Sequence, residues 1–332
     1  MNIRNYRQLS GFARERLDAA PAYSRIIMIF AGIVLGLCAV TTLADLAISL
    51  QMDKTGGLSG MGNRATLAAI QNVLPIVQTF VTLCLEIGYL AAILRVARGQ
   101  YVSPNTLRLG FDRLWVLVRL SLTKGLIFMG LGIATLYASV LIYMLTPLSR
   151  KALELLTPIV EGASILSSGS IVLDDATFVA VSQAMTPAMV IWAAVYALLG
   201  VPLLYRFRLD QYIIIDKPGI GAIAALRESR KLMKGNCISF FLLDVKQWYY
   251  YLAMAVATAA SYGSVLLAAL GLELPLSGIT VYLLFTALYL VLMFLVYRFL
   301  RGQVETVYAL AYDSIRPEEK QDGMVLGNIF QM

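Results

Sequence analysis

The chain contains no histidine. That absence excludes His-based catalytic triads, HExxH zinc sites and histidine ligation of haem. Cysteine is nearly absent as well. Cys38, Cys84 and Cys237 stand alone, each in or beside an apolar run. They show neither metal-ligand spacing nor a disulfide framework, and read as small buried hydrophobes. No phosphate-binding P-loop pattern is present. An intramembrane enzyme would need a carboxylate pair or a Ser-Lys dyad in place of histidine, and the acids inside the apolar runs are too scattered to form one. No catalytic residue, no metal and no cofactor is expected, and the chain reads as not an enzyme.

Charge is also scarce: 14% of 332 residues are charged and 59% are hydrophobic. The mean hydropathy is +0.74. That composition lies outside soluble domains. Several apolar runs exceed the roughly 18–20 residues that a bilayer crossing requires. A membrane β-barrel would instead show short alternating segments. The fold class is therefore all-α, a polytopic membrane helical bundle over residues 1–332. Residues 1–25 are too polar and too long to be a cleaved signal peptide, so the first apolar run is expected to stay as a helix.

Six spans are expected, at about 26–50, 65–94, 116–145, 187–205, 237–270 and 279–300. Pro75, Pro187 and Pro202 lie in or beside them. Lysine and arginine set the orientation. On one side, the N-terminal arm, the second-to-third and fourth-to-fifth connections and the C-terminal end carry 22, against 4 on the other, with Lys246 set aside. The positive-inside rule then puts both termini in the cytoplasm. The arm 1–25, the basic loop 206–236 and the tail 301–332 face inward, and the loop 147–186 faces outward. Within that loop SRKALELL and LDDATFVAVSQAM have helical spacing and read as short interfacial helices, with Asp174 or Asp175 as a cap. The net charge of +7 is a signal of topology and lipid contact. The basic residues sit beside apolar spans without base-stacking motifs, so nucleic acid is not a partner.

The most informative stretch is IIIDKPGIGAIAALRESRKLMKGN (213–236). Asp216 sits where an N-cap belongs, Pro218 suits a first helical turn, and Gly235 suits the position after a C-terminus. Arg227, Arg230, Lys231 and Lys234 follow i, i+3, i+4, i+7 spacing and share one stripe; Ala222, Ala225, Leu226, Leu232 and Met233 fall on the other side. Such a helix lies in the cytoplasmic interface, its cations toward anionic lipid headgroups or a protein partner. Basic stretches before each odd-numbered span, GFARERL, GFDRLWVL and ALRESRKLM, form a weak internal repeat.

Residues 200–241 carry a resemblance on Pro202, Tyr205, Tyr212, Asp216, Pro218, Ser229, Arg230, Met233, Lys234, Gly235 and Phe240. With GFDRLW in the middle and VYALAYDSI (307–315) near the end, the sequence resembles the bacterial membrane-protein family catalogued as domain of unknown function 975. The fifth span departs from that family's pattern, reading DVKQW (244–248), and RGQ stands near a missing Pro-Tyr. The resemblance implies the topology and a bacterial plasma-membrane address, and assigns no chemistry. Asp216, Pro218, Ser229 and Gly235 are its signature positions here.

Ionisable residues inside spans are costly and usually face a bundle interior or a cavity. Glu86, Asp244 and Lys246 form the candidate intramembrane polar site. Asp244 and Lys246 are about 200° apart on a helix and cannot pair with each other. Glu86 and Lys246 each lie about 12 Å in from the cytoplasmic end of a span, so a Glu86–Lys246 pair is the expected arrangement; in the alternative, Lys246 snorkels beside an aromatic belt at Trp248–Tyr251. The functional expectation is a non-enzymatic membrane protein with an accessory, assembly or envelope-maintenance role. The alternative is a transporter or exporter of a small or amphipathic solute or lipid.

Overall fold

A computed structural model describes residues 6–54, 61–147, 149–150, 154, 157, 175–269 and 277–316. All the regular structure among them is helical. In order these are α1 (Tyr6–Asp18), α2 (Pro21–Lys54), α3 (Met61–Ala97), a 3-10 turn (Pro104–Arg108), α4 (Leu109–Asp112), α5 (Leu114–Met144), α6 (Asp175–Arg206), α7 (Asp210–Asp216), α8 (Ala222–Met233), α9 (Cys237–Lys246), α10 (Trp248–Ser261), α11 (Gly263–Ala269), α12 (Gly278–Val296), a π turn (Tyr297–Arg301) and α13 (Gly302–Ile315). Five stretches are long and apolar enough to cross a membrane: Pro21–Met52, Thr66–Ala97, Leu114–Met144, Met185–Asp216 and Gly278–Ile315.

The chain divides into two compact units, Met1–Arg119 with Arg208–Met332, and Leu120–Phe207. In the smaller unit α5 and α6 run antiparallel. Trp192 Nε1 donates to the Gly132 carbonyl at 3.4 Å, and Tyr143 and Ala188 are buried together with Ile191 against them. Only 11% of the apolar window of α5 is buried inside the protein, and Leu122, Leu126, Met129 and Leu141 are exposed. Such an exposed apolar surface fits a helix long and apolar enough to cross a membrane.

In the larger unit α3 is the central element, with 67% of its apolar window buried. The chain then turns back on α3 at very short range. A Cβ on Gly110 would lie 1.9 Å from the Cys84 carbonyl oxygen, and one on Gly88 would lie 2.3 Å from that of Leu107. Backbone meets backbone here, so nothing flexible can yield. Gly110→Ala is expected to cost about 3 kcal/mol through overpacking, read as a fall in Tm in detergent. Gly125→Ala, with nothing within 4 Å of its Cβ, leaves Tm unchanged or slightly raised, since alanine is the better helix former.

Three expectations about the elements change. The span expected at 237–270 is not one helix: it breaks at Gln247 and again at Tyr262 into α9, α10 and α11. The sixth span does not stop near Leu300. It continues through a π turn into α13, whose Val304, Thr306, Val307, Tyr308, Ala309, Ala311 and Tyr312 are buried, so much of the expected cytoplasmic tail is core. The stretch from Asp175 is the first part of α6 rather than a separate interfacial helix, while Asp174 and most of SRKALELL lie outside the described residues. The N-terminal arm forms α1, which packs against α13 with Leu9 and Ala13 fully buried.

Candidate functional site: paired charges inside the larger unit

Two contacts fix how α3 and α13 lie together. Arg301 Nη2 meets Glu86 Oε1 at 2.6 Å, and Arg98 Nη2 meets Asp313 Oδ1 at 2.6 Å. Both pairs are separated by 215 positions in the chain. The two helix segments therefore run parallel and in register, held by an ion pair at each end of a stretch of about 18 Å. The expected Glu86–Lys246 pair does not form, because Arg301 occupies the Glu86 carboxylate. Arg301, by sequence a charge of the cytoplasmic tail, has a side chain only 8% exposed.

The π turn precedes this arrangement. One extra residue in a helical turn rotates everything after it by about 100°. From its last residue onward, Arg301, Glu305, Tyr308 and Tyr312 recur at i, i+4, i+7 and i+11, a single stripe running into α13. Arg301 lies 4.9 Å from the ring centroid of Tyr297, 5.0 Å from that of Phe30 and 5.2 Å from that of Tyr89. Three aromatic faces around a guanidinium replace part of its lost hydration. The Tyr89 hydroxyl is 3.0 Å from that of Tyr23. Tyr23 in turn presses on the backbone of Gly302, where a Cβ would lie 1.9 Å from the phenol oxygen. Next along the stripe, Glu305 accepts from the Tyr212 hydroxyl at 3.2 Å.

Tyr308 meets Asp244. The Asp244 carboxylate accepts from the hydroxyls of Tyr251 and Tyr308 and pairs with Arg208 at 3.1 Å, while the Arg208 guanidinium sits 4.3 Å from the Tyr308 ring centroid. A carboxylate placed early in an apolar run is thus held by an arginine and two phenols. Lys246, two residues on, lies outside the network. It is exposed, with Nζ 5.8 Å from the Tyr6 ring of α1. It is not joined to Glu86 or Asp244 in the described structure.

At the far end of the stripe is a four-charge cluster. Arg98 grips Asp313 with two nitrogens and reaches Asp216 Oδ1 at 3.1 Å. Arg316 Nη1 reaches Asp216 Oδ2 at 2.5 Å, and the Tyr312 hydroxyl donates to the same oxygen at 3.1 Å. Burial works against the Arg98 charge, but the Asp313 and Asp216 carboxylates outweigh it and hold the guanidinium above its ordinary range. Asp216 is therefore not the N-cap that its position before Pro218 suggests. It ends α7, and α8 begins six residues later with Gly221 at its cap. Paired with two arginines, its side chain is 4% exposed.

The other signature residues have local roles. Ser229 is fully buried in α8, and its Oγ accepts from the Leu209 N–H at 3.2 Å where α7 begins. Pro218 lies in the exposed turn between α7 and α8. Gly235 follows the α8 terminus with φ of 86°, the left-handed conformation that glycine adopts without strain. Arg227, Arg230, Lys231 and Lys234 are exposed along one face of α8 and form no ion pair among the described residues, while Ala222, Ala225, Leu226 and Met233 are buried. The apolar face of α8 thus rests on protein rather than on lipid. Cys38, Cys84 and Cys237 are unbridged, and no group of His, Cys, Asp or Glu among the described residues could hold a metal.

These features define the class: an all-α bundle with helices long and apolar enough to span a bilayer, and an interior of charges that pair with one another. The chain belongs to the family described as "Protein of unknown function (DUF975)", whose model matches residues 38–319. No curated protein and no solved structure matches it.

Proposed function

We propose that this is a non-enzymatic integral protein of the bacterial plasma membrane, with both termini in the cytoplasm, that serves as an accessory or assembly component and offers the basic face of α8 to anionic headgroups or to an acidic partner. The observation that carries this reading is the pairing of the charged interior. Glu86 and Asp244, the acids of the candidate intramembrane site, are each engaged by arginine, and so is Asp216, so these carboxylates lock helices together. The cations of α8 face outward without an ion pair among the described residues.

The parallel register of α3 and α13 supports the orientation. Arg113 Nη1 donates to the Ile214 carbonyl at 2.9 Å, so the chain leaves the larger unit and re-enters it on one side. If the last helix is then parallel to α3, residues 237–269 must carry the chain back across. They run antiparallel to α12 and α13: Tyr251 meets Tyr308, and Gly263 meets Phe285. α10 and α11 together rise about 33 Å, enough for a hydrocarbon core of roughly 30 Å. This packing supports the reading of six crossings with α1, α8 and the C-terminal end inside.

Native mass spectrometry of the protein released gently from its own membrane tests the docking role. Wild-type protein is expected to retain a stoichiometric protein partner or anionic lipid, and a variant with Arg227, Arg230, Lys231 and Lys234 all changed to Gln to lose it. A small solute retained equally by both would favour the transport alternative.

A further inference from the structure

A half-open cleft of about 560 Å³ lies between the end of α1, the start of α2 and the π turn. Arg14 and Arg298 stand on its walls with Asp18, Ser24 and Gln303, and Phe299 lines it as well. Its Tyr23 edge is fixed by the close packing of that ring on Gly302. Arg14 and Asp18 are 4.0 Å apart, with side chains 81% and 77% exposed. A pair so solvated is weak, and Arg14 is readily drawn to another anion. Two guanidinium groups against one carboxylate leave a net positive charge, and arginine forks match phosphate oxygens. The cleft sits at Pro21–Ser24, just before the apolar run that opens at Ile26, where a helix entering a bilayer would meet the headgroups. From its edge an exposed apolar stripe runs along the last spanning helix: Phe299, Leu295, Val291, Leu288 and Leu284, at 67%, 43%, 57%, 43% and 53% exposure. Those positions extend about 22 Å by helical rise, longer than the ~15 Å of one leaflet's hydrocarbon.

We propose that this cleft is a binding site for a single anionic phospholipid of the cytoplasmic leaflet, its phosphate between Arg14 and Arg298 and an acyl chain along the Phe299–Leu284 stripe. The inference rests on the cytoplasmic placement of α1 argued above, but not on the docking role of α8. The apolar stripe selects a membrane lipid over a soluble phosphate ester, and the net charge selects an anionic headgroup over a zwitterionic one.

The test is native mass spectrometry of delipidated full-length protein in detergent, titrated separately with phosphatidylglycerol and phosphatidylcholine. Phosphatidylglycerol is expected to give a first adduct that survives activation where phosphatidylcholine does not. Arg14→Gln with Arg298→Gln should weaken that adduct by about a hundredfold, the loss of two charge-assisted contacts, while Arg14→Lys with Arg298→Lys retains most of it. Thermal unfolding of both variants checks that they fold; if the Gln pair does not, Gln303→Arg should strengthen the adduct and serves in its place. Equal binding of the two lipids, an adduct unmoved by these changes, or displacement by an equimolar soluble glycerol phosphate would overturn the proposal. Loss of the adduct in the α8 Gln variant alone would overturn it too, while leaving the docking reading intact.

Discussion

Asp216→Ala is expected to be the most damaging single substitution in the chain. Its carboxylate holds Arg98 on one oxygen, and Arg316 and Tyr312 on the other. Removing it strands Arg316 and leaves Arg98 with Asp313 alone, at a position where the lost side chain is only 4% exposed. Breaking one partner out of a buried pair costs about 3–5 kcal/mol, which for a chain of this size lowers Tm by about 10 °C. Asp313→Ala should cost less, because Asp313 is 28% exposed and water can replace part of what Arg98 loses. Adding Arg316→Ala to Asp216→Ala should recover part of the loss, since one stranded cation goes with it. A double variant that is simply the sum of the two singles would show that the cluster is not coupled.

Arg301→Gln should come second, and its partner shows why. Arg301 loses the Glu86 ion pair together with three aromatic faces, a loss of about 3–5 kcal/mol. Glu86→Gln costs less, about 2 kcal/mol, because Glu86 is 36% exposed and Arg301 keeps its rings. The double variant should fall short of additivity by about 1–3 kcal/mol. Glu86→Gln combined with Lys246→Met should instead add within about 0.5 kcal/mol, since the two residues do not meet. Thermal unfolding of the six proteins in one detergent measures both cycles. The opposite result, coupling to Lys246 and additivity with Arg301, would contradict the geometry.

The contrast between these two cycles shows what could be read from sequence. Hydropathy gave most of the spans because it depends on local composition. It placed the exposed cations of α8 and the turn at Gly235 for the same reason. It did not give the breaks at Gln247 and Tyr262, since a continuous apolar run carries no mark of where tertiary packing interrupts a helix. Glu86 and Asp244 stand out as charges inside apolar runs that need partners, but depth along the span gives Glu86 Lys246 where the structure has Arg301. Depth along a span limits pairing to one level of the bundle without choosing among helices, and Arg301 had been counted with a tail. The signal for Arg301 was present. Arg301, Glu305, Tyr308 and Tyr312 repeat at helical spacing beyond the expected end of the last span, and an exposed tail has no need of such a stripe. Asp216 misled for a related reason. Asp-x-Pro is a sound start signal for a helix, and two arginines from distant parts of the chain outbid the backbone for its carboxylate.

The proposed topology puts α1, α8 and the end of the last helix on the cytoplasmic side, with residues 237–269 carrying the chain across between them. The most direct measurement is cysteine accessibility in a background with Cys38, Cys84 and Cys237 replaced, using a membrane-impermeant maleimide on intact cells and after lysis. Cysteines introduced singly at Arg14, Lys231 and Arg316 should label only after lysis, and one at Lys54 should label in intact cells. Labelling at Lys231 in intact cells, or on opposite sides at Lys231 and Arg316, would contradict the six-crossing topology and with it the placement of the basic face of α8.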